Sequence, residues 1–334
     1  MRTPHRRHLF PPRHHLLPAL ALAVLLSASA ILGTGRAALP VAEAGQGNFS
    51  GRVDIGGGRR LYLECRGQGS PTVMLVSGYG NHGGVWSIES DEVPQPQVLP
   101  AVARFTRVCT YDRPGTGGGP LDRSRSDPVA QPFAGEDAVA DLHVLLRAAQ
   151  VPGPYVFVGH SLGGLLVRLY ASTYPDEVAG LVLVDATSEQ LRATLTPAQW
   201  ALVAASSNVG SAELASYPEF EQMDLNALYD AMIRAAAAQP LRPLPLVVLS
   251  RGHEDDLPPE LLAGLPPGFL DALAAAWSVS QAFLAALLPD ARHTIAGQSG
   301  HFIQLDQPDL VIDAIRQVVA VVQRSTKGNN AARP

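Results

Sequence analysis

Charge is scarce in this sequence: Asp, Glu, Lys and Arg make up 16% of 334 residues, against 46% hydrophobic residues. Such a chain can bury a sizeable core and lacks the composition of a disordered polymer. It has no internal repeat and no long run of like charge, which excludes repeat architectures and charged tails. No G-x-x-x-x-G-K-[ST] loop is present to cradle phosphates, and no Cys/His cluster has zinc spacing. Neither a metal nor any other cofactor is therefore expected. Cysteine is nearly missing, with Cys65 and Cys109 the only two.

The charge that exists is unevenly placed. Arg2, Arg6, Arg7 and Arg13 precede an uncharged stretch from Leu16 to Leu32, and small residues follow. That is the layout of an export signal, with Ala28-Ser29-Ala30 and Ala42-Glu43-Ala44 as candidate cleavage sites. Arg6-Arg7 is a weak match to twin-arginine export. No cysteine follows the apolar stretch, so a lipid anchor is not expected. The alternative is a retained membrane anchor, since the stretch is just at the lower limit for crossing a bilayer. Residues 1–44 are thus read as outside the folded unit, and the rest as exported, or as anchored with the domain outside the cytoplasm. Their removal takes away five arginines and one glutamate, moving the net charge from −5 to −9. A remainder so acidic is a poor partner for nucleic acid or anionic membrane, so membrane contact is expected only if the segment is retained.

Eight short segments read as strands: 51–55, 60–65, 72–76, 108–111, 155–158, 180–184, 244–249 and 292–296. The first two flank Gly56-Gly57-Gly58 and read as a hairpin. Most of the others are apolar on both faces, as parallel strands covered by helices must be. Helical patterns lie between several of them, at 136–149, 163–174 and 310–322. The fold class that follows is α/β, a doubly wound, mostly parallel eight-stranded sheet. The connection between Asp185 and Pro243 is too long for a plain crossover. It is rich in Ala, Leu and Ser, with helices expected near 197–205 and 225–238. This reads as a small helical cap at 186–243, inserted between core segments 45–185 and 244–334. Its low charge suits the roof of an apolar substrate site.

Chemistry concentrates at the end of the fifth strand, in Gly159-His160-Ser161-Leu162-Gly163. This G-x-S-x-G, with an apolar strand before it and a helical pattern after it, is a nucleophile elbow holding Ser161 exposed on a tight turn. Strand and helix pass so closely there that side chains at 159 and 163 would collide. The helix start also directs free N–H groups at whatever the serine attacks. A serine nucleophile needs a base, an orienting carboxylate and oxyanion donors. Of ten histidines, four (His5, His8, His14 and His15) lie in the export segment. His301 follows the last strand, on the sheet edge that carries the elbow, and is the candidate base.

Three motifs together resemble the α/β-hydrolase superfamily over residues 50–323. They are the elbow, Tyr111-Asp112-Arg113-Pro114-Gly115-Thr116-Gly117, and Gly297-Gln298-Ser299-Gly300-His301 running on to Pro308. The resemblance implies an acid in the loop after strand 244–249, which reads Ser250-Arg251-Gly252-His253-Glu254-Asp255-Asp256. The family's G-x-x-D spacing selects Asp255, with Glu254 and Asp256 as neighbours. A second solution in such enzymes takes the acid from the end of the preceding strand, here Asp185. The implied oxyanion donors are the backbone N–H groups of Leu162 and Tyr79. Relatives commonly carry His-Gly where this chain has Ser77-Gly78, which leaves the bracing of that loop open. Gly78, Gly80, His82, Trp86 and His160 are candidate pocket residues, Trp86 equally so as core packing. The superfamily's strand order makes the strands of Cys65 and Cys109 neighbours, so a disulfide is expected in an exported chain.

Relatives that transfer alkyl groups use an aspartate at the elbow; Ser161 points to acyl transfer instead. The expected activity is hydrolysis of carboxylic esters or lactones of small to medium, fairly apolar molecules. Competing readings on the same scaffold are peptide cleavage, C–C bond hydrolysis, cofactor-free haloperoxidase chemistry and acyl transfer to an alcohol. A non-catalytic binding protein is the competing reading from outside enzymology.

Overall fold

Tyr155–His160 is buried at all six positions, and its side chains alternate between two hydrophobic clusters. Tyr155 and Phe157 enter one cluster while Val156 and Val158 enter the other. A strand flanked by apolar layers on both faces must lie in the interior of a sheet. The computed structural model describes residues 47–88, 93–119, 122–206, 217–255 and 264–331. The export or anchor segment 1–44 lies outside the described residues. Among the described residues no helix is long and apolar enough to cross a membrane.

The strands are β1 (Phe49–Gly56), β2 (Arg59–Arg66), β3 (Thr72–Val76), β4 (Val108–Tyr111), β5 (Tyr155–His160), β6 (Val178–Val184), β7 (Leu246–Arg251) and β8 (Arg292–Ala296). They form one sheet in the order β1-β2-β4-β3-β5-β6-β7-β8. β1 and β2 are antiparallel to their neighbours, and β3 to β8 run parallel. The glycine turn between β1 and β2 has positive φ at Gly57 and Gly58, so the hairpin uses glycine where other residues would be strained. A further two-stranded ribbon joins Gly117–Gly119 to Asp122–Arg123. Cys65 and Cys109 sit directly opposite each other on β2 and β4 and are disulfide-bonded.

Helices α2 (Gly135–Ala148) and α3 (Leu162–Thr173) cover one face, burying Leu142, Leu145, Leu166 and Tyr170. On the other face α1 (Val98–Val102) and the terminal helix contribute Val98, Leu99, Ile315 and Val318. Between β6 and β7 lie α4 (Gln190–Thr194), α5 (Pro197–Ser206) and α6 (Leu225–Ala238). Trp200, Leu228, Tyr229 and Met232 join the cluster under α2 and α3. The described part of this insertion therefore shares the core of the sheet. After β7 the described residues include α7 (Phe269–Ala285), α8 (Ile303–Asp306) and α9 (Pro308–Ala331).

Strand order reverses around β3, which lies between β4 and β5. In open α/β sheets the crevice at such a point, beyond the carboxyl ends of the strands, is where ligands bind. Val76 at the end of β3 pairs with Gly159 near the end of β5, so the loop after β3 emerges beside the elbow.

Candidate active site

Ser161 stands between the last residue of β5 and the first of α3, at φ 53° and ψ −121°. Positive φ is uncommon for a residue with a side chain and costs about 1–3 kcal/mol. Neighbours hold the turn in place. The Ser161 N–H donates to Val184 O at 3.1 Å, and the Ser161 carbonyl accepts from Thr187 N at 3.1 Å and Gly164 N at 3.0 Å. The glycines are required sterically. A Cβ on Gly159 would lie 2.6 Å from the Gly163 carbonyl oxygen, and one on Gly163 would lie 2.3 Å from Val76 O. Because those atoms are backbone, nothing can move aside cheaply. Leu162 begins the helix, and its N–H is among those with no intrahelical acceptor.

The histidine loop folds back over this turn. His301 O accepts from His160 Nε2 at 3.0 Å, and the two imidazole rings lie 4.7 Å apart. His301 Nδ1 meets Asp185 Oδ2 at 2.6 Å. Asp185 follows β6 directly, with φ 39° and its N–H donating to Leu249 O at 2.7 Å. Its carboxylate is fully buried. It also accepts from Arg251 N at 3.1 Å, Arg251 Nη1 at 3.3 Å and Trp277 Nε1 at 3.0 Å. Burial by itself would raise the Asp185 pKa. The His301 hydrogen bond and charge, then Arg251 and Trp277, outweigh burial and hold it below the usual carboxylate range.

Of the two candidate acids, Asp185 is the one that meets the imidazole. Asp255, the residue chosen by G-x-x-D spacing, does not meet the imidazole. Its oxygens accept from the His301 backbone N–H at 3.2 and 3.3 Å. The cause is the course of the loop: Gly252 N and His253 N both donate to Ser299 O, which draws the Asp255 segment along the histidine-loop backbone. Gly300 fits there because a Cβ would fall 1.8 Å from Asp255 Oδ1. Glu254 pairs with Arg251 at 2.6 Å and is exposed. Asp256 lies outside the described residues.

The loop after β3 approaches from the other side. A Cβ on Gly78 would lie 3.1 Å from the Ser161 Cβ and 2.9 Å from His160 Nδ1, so only glycine brings this backbone so close. Ser77, in the place of the relatives' histidine, accepts from Trp86 Nε1 at 3.0 Å and donates to His82 O at 3.2 Å. Arg113 donates to Ser77 O at 2.8 Å and Gly78 O at 2.6 Å, and Glu221 Oε2 accepts from Gly80 N at 2.7 Å. The Tyr79 hydroxyl donates to Glu221 O at 2.8 Å, and its ring meets Phe220 edge-on.

The candidate pocket residues divide. Gly78 and Gly80 lie in the loop beside the serine. Trp86 is fully buried in the cluster with α1 and α9, so it supports Ser77 from below and is no pocket wall. His82 caps the short 3-10 turn Gly83–Trp86 through Nδ1, and its Nε2 pairs with Asp122. His160 is 1% exposed and is held neutral, its pKa pushed down to about 3 by burial first and the nearby His301 second. A cleft of about 430 Å³ lined by Leu146, Arg147, Gln150, Tyr155 and Glu177 lies at the amino end of β5. That is the opposite sheet edge from Ser161, and it is no part of this site. Among the described residues no group of three His, Cys, Asp or Glu side chains could hold a metal ion.

The sequence model of the Alpha/beta hydrolase family matches residues 73–314, from β3 into α9. The chain belongs to the alpha/beta hydrolase family. Among curated family relatives, a pimeloyl-[acyl-carrier protein] methyl ester esterase from Chromobacterium violaceum is 36% identical over 134 residues, covering 40% of this chain and 43% of the relative. A putative carbamate hydrolase, RutD, from Escherichia coli O1:K1 / APEC is 37% identical over 116 residues, covering 35% and 38%. The chain thus spans less than half the length of these curated relatives. Among solved structures, a thermophilic esterase from Thermogutta terrifontis has a TM-score of 0.54 at 19% identity, covering 82% of this chain and 99% of that one. Est816, described as an N-acyl homoserine lactone degrading enzyme, has a TM-score of 0.52 at 19% identity, covering 80% and 100%. At such identities the likeness is one of fold.

Several residues around this site carry no readable signal in the sequence. Trp277 and Arg251 reach Asp185 across distances of 92 and 66 residues along the chain. Glu221 lies in the insertion, where no motif is readable. Arg113 was visible inside the Tyr111–Gly117 motif, but its partners were not.

Proposed function

We propose that this chain is an exported serine hydrolase that cleaves carboxylic esters or lactones of small to medium, fairly apolar molecules. The observation that carries the reading is the Asp185–His301 contact of 2.6 Å beside a serine held at positive φ on a strand-to-helix turn. In the proposed reaction His301 Nε2, opposite the nitrogen held by Asp185, takes the Ser161 proton as Oγ attacks the acyl carbon. Asp185 stays ionised, fixes the tautomer and stabilises the imidazolium. The N–H groups of Leu162 and Tyr79 receive the oxyanion. Collapse expels the alcohol, which takes the proton from His301, and leaves an ester on Ser161. Water then attacks that ester, giving its proton to His301, and a second collapse releases the acid and restores the serine hydroxyl.

The matched relatives' names support the class, because a methyl ester esterase and a carbamate hydrolase both act at an acyl carbon. The insertion at 186–243 supplies the proposed roof of the substrate site, and residues 1–44 direct export. A p-nitrophenyl ester series of increasing acyl length tests the activity and its apolar preference together. Ser161→Ala is expected to lower kcat by several orders of magnitude, and a fluorophosphonate is expected to label Ser161. Wild-type turnover in Ser161→Ala would refute the proposal.

A further inference from the structure

The loop that carries Tyr79 is held by a buried ion pair whose members come from opposite parts of the chain. Arg113 follows β4, and Glu221 lies within the insertion, just before α6. Arg113 Nε donates to Glu221 Oε1 at 2.6 Å and Nη2 to Oε2 at 3.1 Å, with side-chain exposures of 2% and 0%. A buried ion pair is rarely needed for stability, since well-packed apolar side chains of similar volume often serve as well. Here three further hydrogen bonds of the pair's side chains fall on one loop. Arg113 donates to the carbonyls of Ser77 and Gly78, while Glu221 accepts the N–H of Gly80.

The Gly78 contact has a directional consequence. Gly78 O is held by Arg113 Nη2 at 2.6 Å and by Asn81 N at 3.2 Å. The described cis peptides are all X-Pro bonds, so the Gly78–Tyr79 peptide is trans. In a planar trans peptide the C=O and N–H point in opposite directions. Anchoring Gly78 O on the guanidinium therefore sends the Tyr79 N–H away from it. The α-carbon of the same Gly78 lies against Ser161.

We infer that Arg113 and Glu221 are a positioning pair that aims the Tyr79 N–H at the oxyanion formed on Ser161. The pair does the work left open by Ser77 in place of the relatives' histidine. Lysine could not replace Arg113, because one ammonium cannot present a planar fork to a carboxylate and two carbonyls together. This inference rests on the serine-hydrolase reading, and the test separates the two.

The experiment compares kcat/KM for p-nitrophenyl butyrate and its thionoester in wild type, Arg113→Lys and Glu221→Gln. Sulfur accepts hydrogen bonds weakly, so a thionoester gains little from oxyanion donors, whereas both substrates use Ser161 and His301 alike. Wild type is expected to prefer the oxoester. In both variants the oxo-to-thiono ratio is expected to fall by about tenfold or more. Any inactive fraction of a variant cancels in the ratio. Glu221→Gln, which keeps an acceptor for Gly80, provides a second measurement should Arg113→Lys fail to fold. A ratio unchanged in both variants while a fluorophosphonate still labels Ser161 would overturn the positioning role and leave the hydrolase reading standing. A wild-type chain that neither turns over the oxoester nor accepts the label would overturn both.

Discussion

Asp185→Asn is the substitution that most sharply tests the site. The carboxylate takes four hydrogen bonds: from the Arg251 N–H and Trp277 on Oδ1, and from Arg251 Nη1 and His301 Nδ1 on Oδ2. An asparagine is the same shape, but either orientation of its amide turns the NH2 toward two of these donors. Facing His301, it forces Nδ1 to act as acceptor and puts the ring proton on Nε2, where the base is needed. Facing the other way, it still removes the charge that stabilises the imidazolium. In a Ser-His-Asp serine protease the comparable change lowers kcat about 10⁴-fold. We therefore expect a loss of about 10³–10⁴-fold here, about 4–5.5 kcal/mol of transition-state stabilisation, with KM little changed. Asp255→Asn retains an oxygen for the His301 backbone N–H and should cost less than about tenfold. The assay is kcat on one p-nitrophenyl ester, with thermal unfolding of each variant as the control for folding. Should Asp255→Asn prove the more damaging change, or Asp185→Asn stay within tenfold of wild type, the acid would be wrongly assigned.

Two further outcomes concern groups outside the proposed Ser161–His301–Asp185 triad. His160 is buried neutral with a pKa near 3, below the ordinary 6.5, so in acid the unfolded chain binds a proton that the folded chain refuses. Stability should therefore fall as pH drops from about 6.5 toward 3, by up to about 5 kcal/mol from this residue at 1.36 kcal/mol per pH decade. His160→Gln should flatten the acid limb of unfolding temperature against pH; an unaltered limb would place the acid sensitivity elsewhere. The Cys65–Cys109 bond closes a loop with a sequence separation of 44, which corresponds to about 4 kcal/mol of chain entropy. Cys65→Ala/Cys109→Ala should lose about that much in denaturant unfolding, and the native protein should show no free thiol by mass spectrometry with and without reductant. Two free thiols in the native protein would contradict the bond.

How much of this was legible in the sequence depended on the range of the interaction. Strands apolar on both faces, such as Tyr155–His160, announce a covered parallel sheet because each residue's burial is written in its own side chain. The elbow is legible for the same reason: glycine at 159 and 163 answers a clash with atoms only a few residues away, or one strand over. His301 was recognisable from its place between the last strand and the helices that follow. Trp86 was not resolved between pocket and core, since an indole suits both and only the position of α1 and α9 over it decides.

By itself the sequence determined the α/β architecture, the serine on its turn and the histidine loop, each encoded within a short stretch. Tertiary structure decided which carboxylate faces the imidazole and what braces the loop of Tyr79. β6 and β7 are adjacent and parallel, so Asp185 and Asp255 arrive at the same sheet edge. Spacing along either strand cannot say which one reaches a ring nitrogen and which a peptide N–H. Arg113 and Glu221 are 108 residues apart, and their contact exists only once the insertion has folded back over β3 and β4.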